Sequence, residues 1–221
     1  MLVLALDTAT PAVTAGVLRL GAEGSPRVLA EQVTVGARAH GELLVPSVQA
    51  VLADVGVRMG ELDAVVCGAG PGPFTGLRVG MVTAAALGDA LGIPVYPVGS
   101  LDAIAHRAGP GSPLLVSTDA RRREVYWARY DETGARVDGP RVDRPAEVPL
   151  DGVARVAGAA SDALGAPGAE VVPPAYPDPA GLVAVAAAAL RARTPPGPLT
   201  PLYLRRPDAL EPGPVKRVTS A

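Results

Sequence analysis

A glycine-rich loop is the segment of this sequence whose residue types and spacing most directly suggest chemistry. Residues 68–80 read Gly-Ala-Gly-Pro-Gly-Pro-Phe-Thr-Gly-Leu-Arg-Val-Gly and follow an apolar run. Backbone N–H groups at a junction of strand, loop and helix can hold an anion. The same glycines also suit a tight turn that needs positive φ angles and close packing. Both interpretations are open for the loop residues Gly70, Gly72, Thr75, Gly76 and Arg78.

The loop does not fit either common phosphate-binding motif. A P-loop ends in Gly-Lys-Ser/Thr, and this segment contains no lysine. A dinucleotide fingerprint needs a third glycine, but Pro73 or Thr75 stands at that place, depending on which glycine is counted first. Thr75 is predicted to be the N-cap of the helix that follows.

An aspartate follows an apolar run in each half of the chain. Asp7-Thr8 ends the first run, and Asp119 ends a run that begins at residue 114. Actin-like ATPases and sugar kinases use Asp-x-Gly turns there to hold a metal-bound phosphate, but Ala9 and Arg121 replace the glycines. The resemblance implies an actin-like fold with a degenerate nucleotide cleft at Asp7, Thr8 and Asp119. Simple turn-capping acids are the alternative interpretation.

The sequence lacks the other common catalytic sets. His40, His106 and Cys67 are too few and too far apart in sequence for a classical zinc site. There is no Gly-x-Ser-x-Gly elbow and no His-Glu-x-x-His motif. Cys67 lies in an apolar run without a basic neighbour, which indicates a small core side chain and not a nucleophile.

Hydrophobic periodicity predicts an α/β protein in which helices cover the sheets. Strands are predicted over residues 2–7, 12–20, 28–35, 63–68, 94–98, 114–118, 124–131, 136–143 and 155–158. Helices are predicted over residues 39–55, 75–91 and 178–193. The Gly/Pro-rich segment 109–113 marks a domain boundary. We therefore expect an N-terminal lobe at 1–108, a C-terminal lobe at 109–195 and a Pro/Gly-rich, partly mobile tail at 196–221.

The composition indicates a globular cytoplasmic protein. The chain has 221 residues, 48% of them hydrophobic, and a net charge of −2. Its single cysteine suits a reducing compartment, and the N-terminus has no basic region of a signal peptide. No apolar run is long enough to span a bilayer. No segment is basic enough to bind a phosphate backbone by itself, so a role on RNA would need a partner.

Several segments, taken in order along the chain, resemble the TsaB (YeaZ) family. They are residues 4–10, His40 with 43–46, 70–80, 93–95, 98–101, 119–128 and 201–205. The sequence departs from the family at Pro73, where serine is usual, and at Arg123, where glycine is common. The resemblance implies a two-lobed actin-like (ASKHA, ribonuclease H-like) fold, with a mixed sheet and flanking helices in each lobe.

The resemblance also implies a function. Family members are non-catalytic paralogues of TsaD, the subunit that transfers a threonylcarbamoyl group to the adenosine beside the tRNA anticodon. TsaD holds a metal through His-x-x-x-His, and here Leu44 stands where the second histidine would follow His40. We expect no cofactor on this chain, with ATP and metal on its partners. The expected partners are a TsaD-type subunit, a TsaE-type ATPase or a second copy, with tRNA bound only through the complex.

The resemblance places the partner surface on the two N-terminal helices. Small residues recur every fourth position there, which would let another helix approach closely. The interface residues implied are His40, Leu43, Leu44, Gly80, Ala84, Leu87, Gly88 and Leu91. The alternative is that the small residues pack on the chain's own sheet. On the first interpretation, Ala84→Arg should abolish partner binding and leave the monomer folded.

Two other functions stay open on the sequence alone. One is a nucleotide-dependent enzyme, such as a small-molecule kinase or ATPase, which the lost glycines argue against. The other is a peptidase, for which the sequence supplies neither a nucleophile with its base nor a metal site. The run Arg121, Arg122 and Arg123 could contact RNA or a partner, or could form a solvated turn.

Overall fold

Two five-stranded mixed sheets form the framework of the protein. The computed structural model describes residues 1–36 and 39–205. The first sheet has the order β3-β2-β1-β4-β5. Its strands are β1 (Leu2–Asp7), β2 (Ala12–Arg19), β3 (Arg27–Val35), β4 (Ala64–Gly68) and β5 (Val95–Val98). β1 pairs antiparallel with β2 and parallel with β4, so it is the central strand.

The second sheet repeats the topology of the first. Its order is β10-β9-β6-β7-β8, and the central β6 pairs antiparallel with β7 and parallel with β9. The strands are β6 (Leu114–Asp119), β7 (Val125–Tyr130), β8 (Arg136–Asp143), β9 (Arg155–Ala157) and β10 (Glu170–Val171). Asp7 and Asp119 thus end the central strands of two equivalent sheets, which is the two-lobed actin-like α/β arrangement that the sequence predicted.

Five α-helices pack against these sheets in the described part of the chain. They are α1 (His40–Asp54), α2 (Phe74–Leu91), α3 (Ser100–Ala108), α4 (Ser161–Leu164) and α5 (Pro179–Ala192). α1 and α2 share one apolar core with one face of the first sheet. α5 covers the opposite face, where Leu182 and Leu190 are fully buried. Asp178 caps α5 by accepting a hydrogen bond from the Gly181 N–H (2.7 Å).

Two helices pack across the division that the sequence predicted. α5 follows the second sheet but packs on the first. α3 precedes the second sheet, and its Leu101 and Ile104 belong to the second sheet's core. The lobe bounds 1–108 and 109–195 stay a prediction. α3 and α5 each pack on the sheet of the other lobe and so connect the two lobes.

The segment 199–205 runs along both lobes. Leu199 packs against the core of the first sheet and Leu204 against that of the second. Between them, the Leu202 N–H donates to the Ala69 carbonyl oxygen (2.9 Å). This part of the predicted tail is therefore anchored, while the predicted mobility of the last dozen residues lies outside the described residues.

The predicted elements agree with the structure apart from their ends, but α3 and the short elements α4 and β10 are missing from the prediction. α3 was not predicted because its nine residues are short for a periodicity argument and lie directly before the Gly/Pro-rich segment 109–113. None of the helices in residues 1–36 and 39–205 is long and apolar enough to cross a membrane.

Candidate functional site

A cleft opens where the ends of the two central strands, the start of α1 and the glycine-rich loop meet. Its volume is about 640 Å³. The lining residues are Thr8, Thr10, Pro11, Gly36, His40, Pro73, Thr75, Gly76, Asp119 and Arg121. The structure thus brings together Thr8, Asp119 and part of the glycine loop, but Asp7 is not among the lining residues. A nucleotide cleft at these residues stays a prediction.

Asp7 is fully buried beneath the cleft, and both of its carboxylate oxygens are hydrogen-bonded. The Ala9 N–H donates to Oδ1 (2.8 Å) and the Ser100 hydroxyl donates to Oδ2 (2.5 Å). Burial raises the pKa of Asp7 to about 6, although these two hydrogen bonds and the nearby His40 lower it. A side chain at Gly68 would collide with the Asp7 carboxylate, so this neighbour must be glycine.

The two aspartates do not fit a metal-phosphate clamp. Asp7 uses its oxygens inside the protein, and Asp119 is exposed with Oδ1 accepting from the Arg121 N–H (3.1 Å). Nε2 of His40 donates to the Thr10 carbonyl oxygen (2.9 Å). Within residues 1–36 and 39–205, no three histidine, cysteine, aspartate or glutamate side chains lie close enough together to hold a metal ion.

Thr8 joins the central strand to α2 through its hydroxyl group. Oγ1 donates to the Gly76 carbonyl oxygen (2.7 Å) and accepts from the Gly80 N–H (2.9 Å). These two backbone groups are four residues apart, so the hydroxyl lies between groups that pair with each other in a regular helix. A methyl group at Gly80 would lie 2.5 Å from Thr8 Oγ1, and one at Gly76 would lie 2.5 Å from the Thr8 carbonyl oxygen. Both glycines therefore permit the close contact between strand and helix.

Replacing Thr8 by valine is expected to lower the free energy of unfolding by about 1–3 kcal/mol. Valine has a similar volume but leaves the Gly76 carbonyl and the Gly80 N–H without the hydroxyl partner. Thr8→Ser keeps the hydroxyl and serves as the control. Urea unfolding of the three proteins measures the effect, and equal midpoints for valine and wild type would show that the hydroxyl bridge adds no stability.

The glycine-rich loop packs tightly against the turn after β1. A side chain at Gly72 would collide with the backbone of Ala9, and Gly70 has φ +98°. The Gly70 carbonyl oxygen accepts from the Ser100 N–H (2.8 Å). Close approach of the backbone therefore explains why glycine stands at these positions, in agreement with the tight-turn interpretation.

The predicted N-cap of α2 is wrong. The helix begins at Phe74, its N-cap is Pro73, and no side chain caps it. Pro73 has φ −61° and ψ 140°, an extended conformation that proline's ring favours, so the helix starts one residue earlier than predicted. Thr75 lies inside the first turn and lines the cleft, while Arg78 is exposed beside Phe74.

The small-residue ridge of α2 faces the chain's own sheet. Gly80 and Ala84 are buried, and a side chain at Gly88 would collide with Val95 of β5. Leu44 is also fully buried. The prediction that these residues form an outward ridge is therefore wrong, because their small size lets α2 lie close to its own sheet.

The remaining predicted interface residues lie at the edge of the protein core. The half-buried ones are His40, Leu43, Leu87 and Leu91. Cys67 is a buried thiol, and burial first and the Asp7 charge second raise its pKa, as expected for a core cysteine. His106 is exposed on α3.

The outward face of α1 and α2 carries apolar side chains instead of the ridge. Val82 of α2 is 64% exposed and Val45 of α1 is 44% exposed. Leu43, Leu87 and Leu91 reach partly to the surface at the margins of the same two helices. Single exposed apolar residues are ordinary, but two neighbouring helices that share this property offer a surface for a partner.

Sequence reasoning missed two residues near the cleft. Ser100, which holds Asp7, lies 93 positions away in sequence and is the first residue of the unpredicted helix α3. Tyr203 lies beside Phe74, with ring centroids 5.2 Å apart. The family resemblance included both segments, but only the folded chain shows which residues they contact.

The family model of TsaD, tRNA N6-adenosine threonylcarbamoyltransferase, matches residues 27–189. The chain belongs to this family. Within it the chain is TsaB-like, since it is 33% identical to the tRNA threonylcarbamoyladenosine biosynthesis protein TsaB of Haemophilus influenzae. That match covers 61% of this chain and 56% of the relative.

Two further comparisons cover nearly the whole TsaB-like chain. An uncharacterized protein of Mycobacterium tuberculosis is 56% identical over 94% of this chain and 93% of its own length. The solved structure of YeaZ from Pseudomonas aeruginosa matches with a TM-score of 0.76 at 28% identity. This match covers 92% of this chain and 99% of YeaZ, which agrees with the two-lobed fold described above.

Proposed function

We propose that this chain is the non-catalytic subunit of a threonylcarbamoyltransferase complex, and that it binds and activates a TsaD-type catalytic subunit. The likeness to proteins named TsaB supports a role in tRNA threonylcarbamoyladenosine biosynthesis. The finer assignment rests on one observation, namely that Asp7 is buried and satisfied by Ala9 and Ser100. A carboxylate that is fully buried would have to be uncovered before it could clamp a metal-bound phosphate.

Under this proposal the catalytic chemistry belongs to the partners. ATP and metal are bound by the TsaD-type subunit and the TsaE-type ATPase, and this chain holds no cofactor. tRNA is modified only on the assembled complex. The outward face of α1 and α2, with Val45 and Val82, is the surface that meets the TsaD-type subunit. In the absence of that subunit, the same apolar face would pair two copies of this chain.

Reconstitution tests this function. A TsaD-type subunit, a TsaE-type ATPase, threonylcarbamoyl-adenylate and unmodified tRNA are combined with and without this chain, and threonylcarbamoyladenosine is counted. We expect product only when the chain is present and no ATP turnover by the chain alone. Kinase or ATPase turnover by the isolated chain would instead support a nucleotide-dependent enzyme, against which the placement of Asp7 argues.

A further inference from the structure

Residues 199–205, here called the clasp, are fixed by Tyr203 to the wall of the cleft that the glycine-rich loop forms. The tyrosine ring stacks on the ring of Phe74, with centroids 5.2 Å apart and an interplanar angle of 29°. Its hydroxyl accepts a hydrogen bond from Nε of Arg78 (3.2 Å). Phe74 stands between two residues that line the cleft, so this contact is made with the cleft wall itself.

Arg205 fixes the clasp to the opposite wall, which is formed by the turn after β6. Its guanidinium group donates to the Ala120 carbonyl oxygen (3.0 Å) and pairs with the Glu124 carboxylate. Ala120 also stands between two residues that line the cleft. The neighbouring Leu204 packs against the core of the second sheet. The clasp therefore joins the two walls of the cleft directly.

The two attachment points are too close together along the chain to allow a wider cleft. Tyr203 and Arg205 are two residues apart, so their Cα atoms can lie at most about 7 Å from each other. The Leu202 N–H donates to the Ala69 carbonyl oxygen (2.9 Å), which resists sliding of the clasp along the first lobe. If the walls moved apart, either the ring stack or the hydrogen bonds of Arg205 would break.

We propose that the clasp locks the two lobes at one separation, so that the cleft walls keep a fixed distance whether or not a ligand is present. In two-lobed proteins that close around a ligand, a hinge motion changes this distance. Here that motion would require the clasp to release one wall. The lock is a property of the chain by itself and does not depend on the partners of the proposed function.

Both attachments are needed because each of them is modest by itself. Tyr203 contributes a partly exposed aromatic pair, and Arg205 contributes an ion pair whose side chains are 25% and 30% exposed. When one attachment breaks transiently, the other keeps the clasp beside the wall it has left, so the broken contact forms again at a high effective concentration. A substitution that removes either attachment permanently should therefore free the lobes.

The separation of the lobes is measured on the isolated chain by electron–electron double resonance. Spin labels are attached to Val33→Cys in β3 and Val137→Cys in β8, at positions that are 39% and 63% exposed. The native Cys67 is fully buried and is not expected to react. The labelled protein is diluted with unlabelled protein, so that the measured distances are those within one chain.

The wild-type chain is expected to give one narrow distance distribution, with or without added Mg-ATP. Arg205→Ala and Tyr203→Ala each remove one attachment, and both should shift or broaden the distribution by more than about 2 Å. Both side chains are partly exposed, so the two variants are expected to stay folded, as circular dichroism will show. Two variants that act on opposite walls make the result independent of either one alone.

Two control variants separate the lock from the loss of an ordinary contact. Tyr203→Phe removes only the hydroxyl group and keeps the ring on Phe74, so the distribution should stay narrow. Arg191→Ala removes another arginine that holds a loop through two carbonyl oxygens, those of Gly21 and Gly24. This arginine joins α5 only to the turn between β2 and β3, and its loss should leave the separation of the lobes unchanged.

Hydrogen exchange of the same proteins distinguishes a lock from local packing of the chain end. The Leu202 amide is expected to exchange at least about tenfold faster in Arg205→Ala and Tyr203→Ala than in wild type. Faster exchange in the clasp with an unchanged distance distribution would overturn the proposal, because the contacts would then order only the clasp itself. A wild-type distribution that is already broad, or that shifts when Mg-ATP is added, would overturn it as well.

Discussion

Replacing Val82 by arginine is expected to weaken binding of the TsaD-type subunit at least about thirtyfold. Val82 is 64% exposed on the outward face of α2, so the substitution leaves the core of the monomer untouched. In the complex, however, the new charge would have to be removed from water without a partner. Isothermal titration measures the affinity, and the free energy of unfolding should stay within about 0.5 kcal/mol of wild type.

Two further substitutions make this test specific. Val137→Arg places the same change at a residue of β8 that is 63% exposed, and it should leave binding intact. Ala84→Arg is now expected to unfold the monomer, because Ala84 is fully buried between α2 and the first sheet. A Val82→Arg protein that binds its partner as wild type does would remove the outward face of α1 and α2 from the proposal.

Replacing Asp7 by asparagine is expected to stabilise the protein above pH 7 by up to about 3 kcal/mol. The pKa of Asp7 is raised from 3.8 to about 6, mainly by burial, so the folded state binds its proton more tightly than the unfolded state does. This contribution to stability is complete below pH 3.8 and is lost as the pH rises through about 6. The difference between the two pKa values corresponds to about 3 kcal/mol.

Asparagine can keep both hydrogen bonds of Asp7 without carrying charge. Its oxygen can accept from the Ala9 N–H, and its amide can donate to the Ser100 hydroxyl oxygen. Chemical unfolding at pH 4 and pH 8 should therefore show a fall in wild-type stability that Asp7→Asn lacks. Asp119→Asn, at the equivalent strand end, should retain the fall because Asp7 is still present. An identical pH dependence for Asp7→Asn and wild type would contradict this explanation.

Most of the secondary structure could be predicted because it depends on local patterns. The buried central strand β1 is a continuous apolar run up to its final aspartate, and β6 begins with one at residues 114–116. α5 is an alanine-rich segment between a capping aspartate and a left-handed arginine. α3 escaped prediction because nine residues give little periodicity. α3 also packs in the core of the second sheet, and this long-range contact cannot be predicted from local sequence patterns.

The site was harder to predict because the same residue types serve packing and binding. Gly80, Ala84 and Gly88 at helical spacing suit either a partner helix or the chain's own sheet, and only burial decides between them. Asp7 after a strand suits either a metal clamp or a buried hydrogen-bonded acid, and its partner Ser100 is remote in sequence. The family resemblance identified the segments, whereas the three-dimensional contacts define what each residue does.

The most direct test of the central proposal is threonylcarbamoyladenosine formation on unmodified tRNA by the TsaD-type and TsaE-type subunits. It is measured without this chain, with the wild-type chain and with its Val82→Arg variant. We expect product only with the wild-type chain. Neither the wild-type chain nor the Val82→Arg variant is expected to turn over ATP by itself. Equal product in all three reactions would contradict the assignment of this chain as an activating subunit.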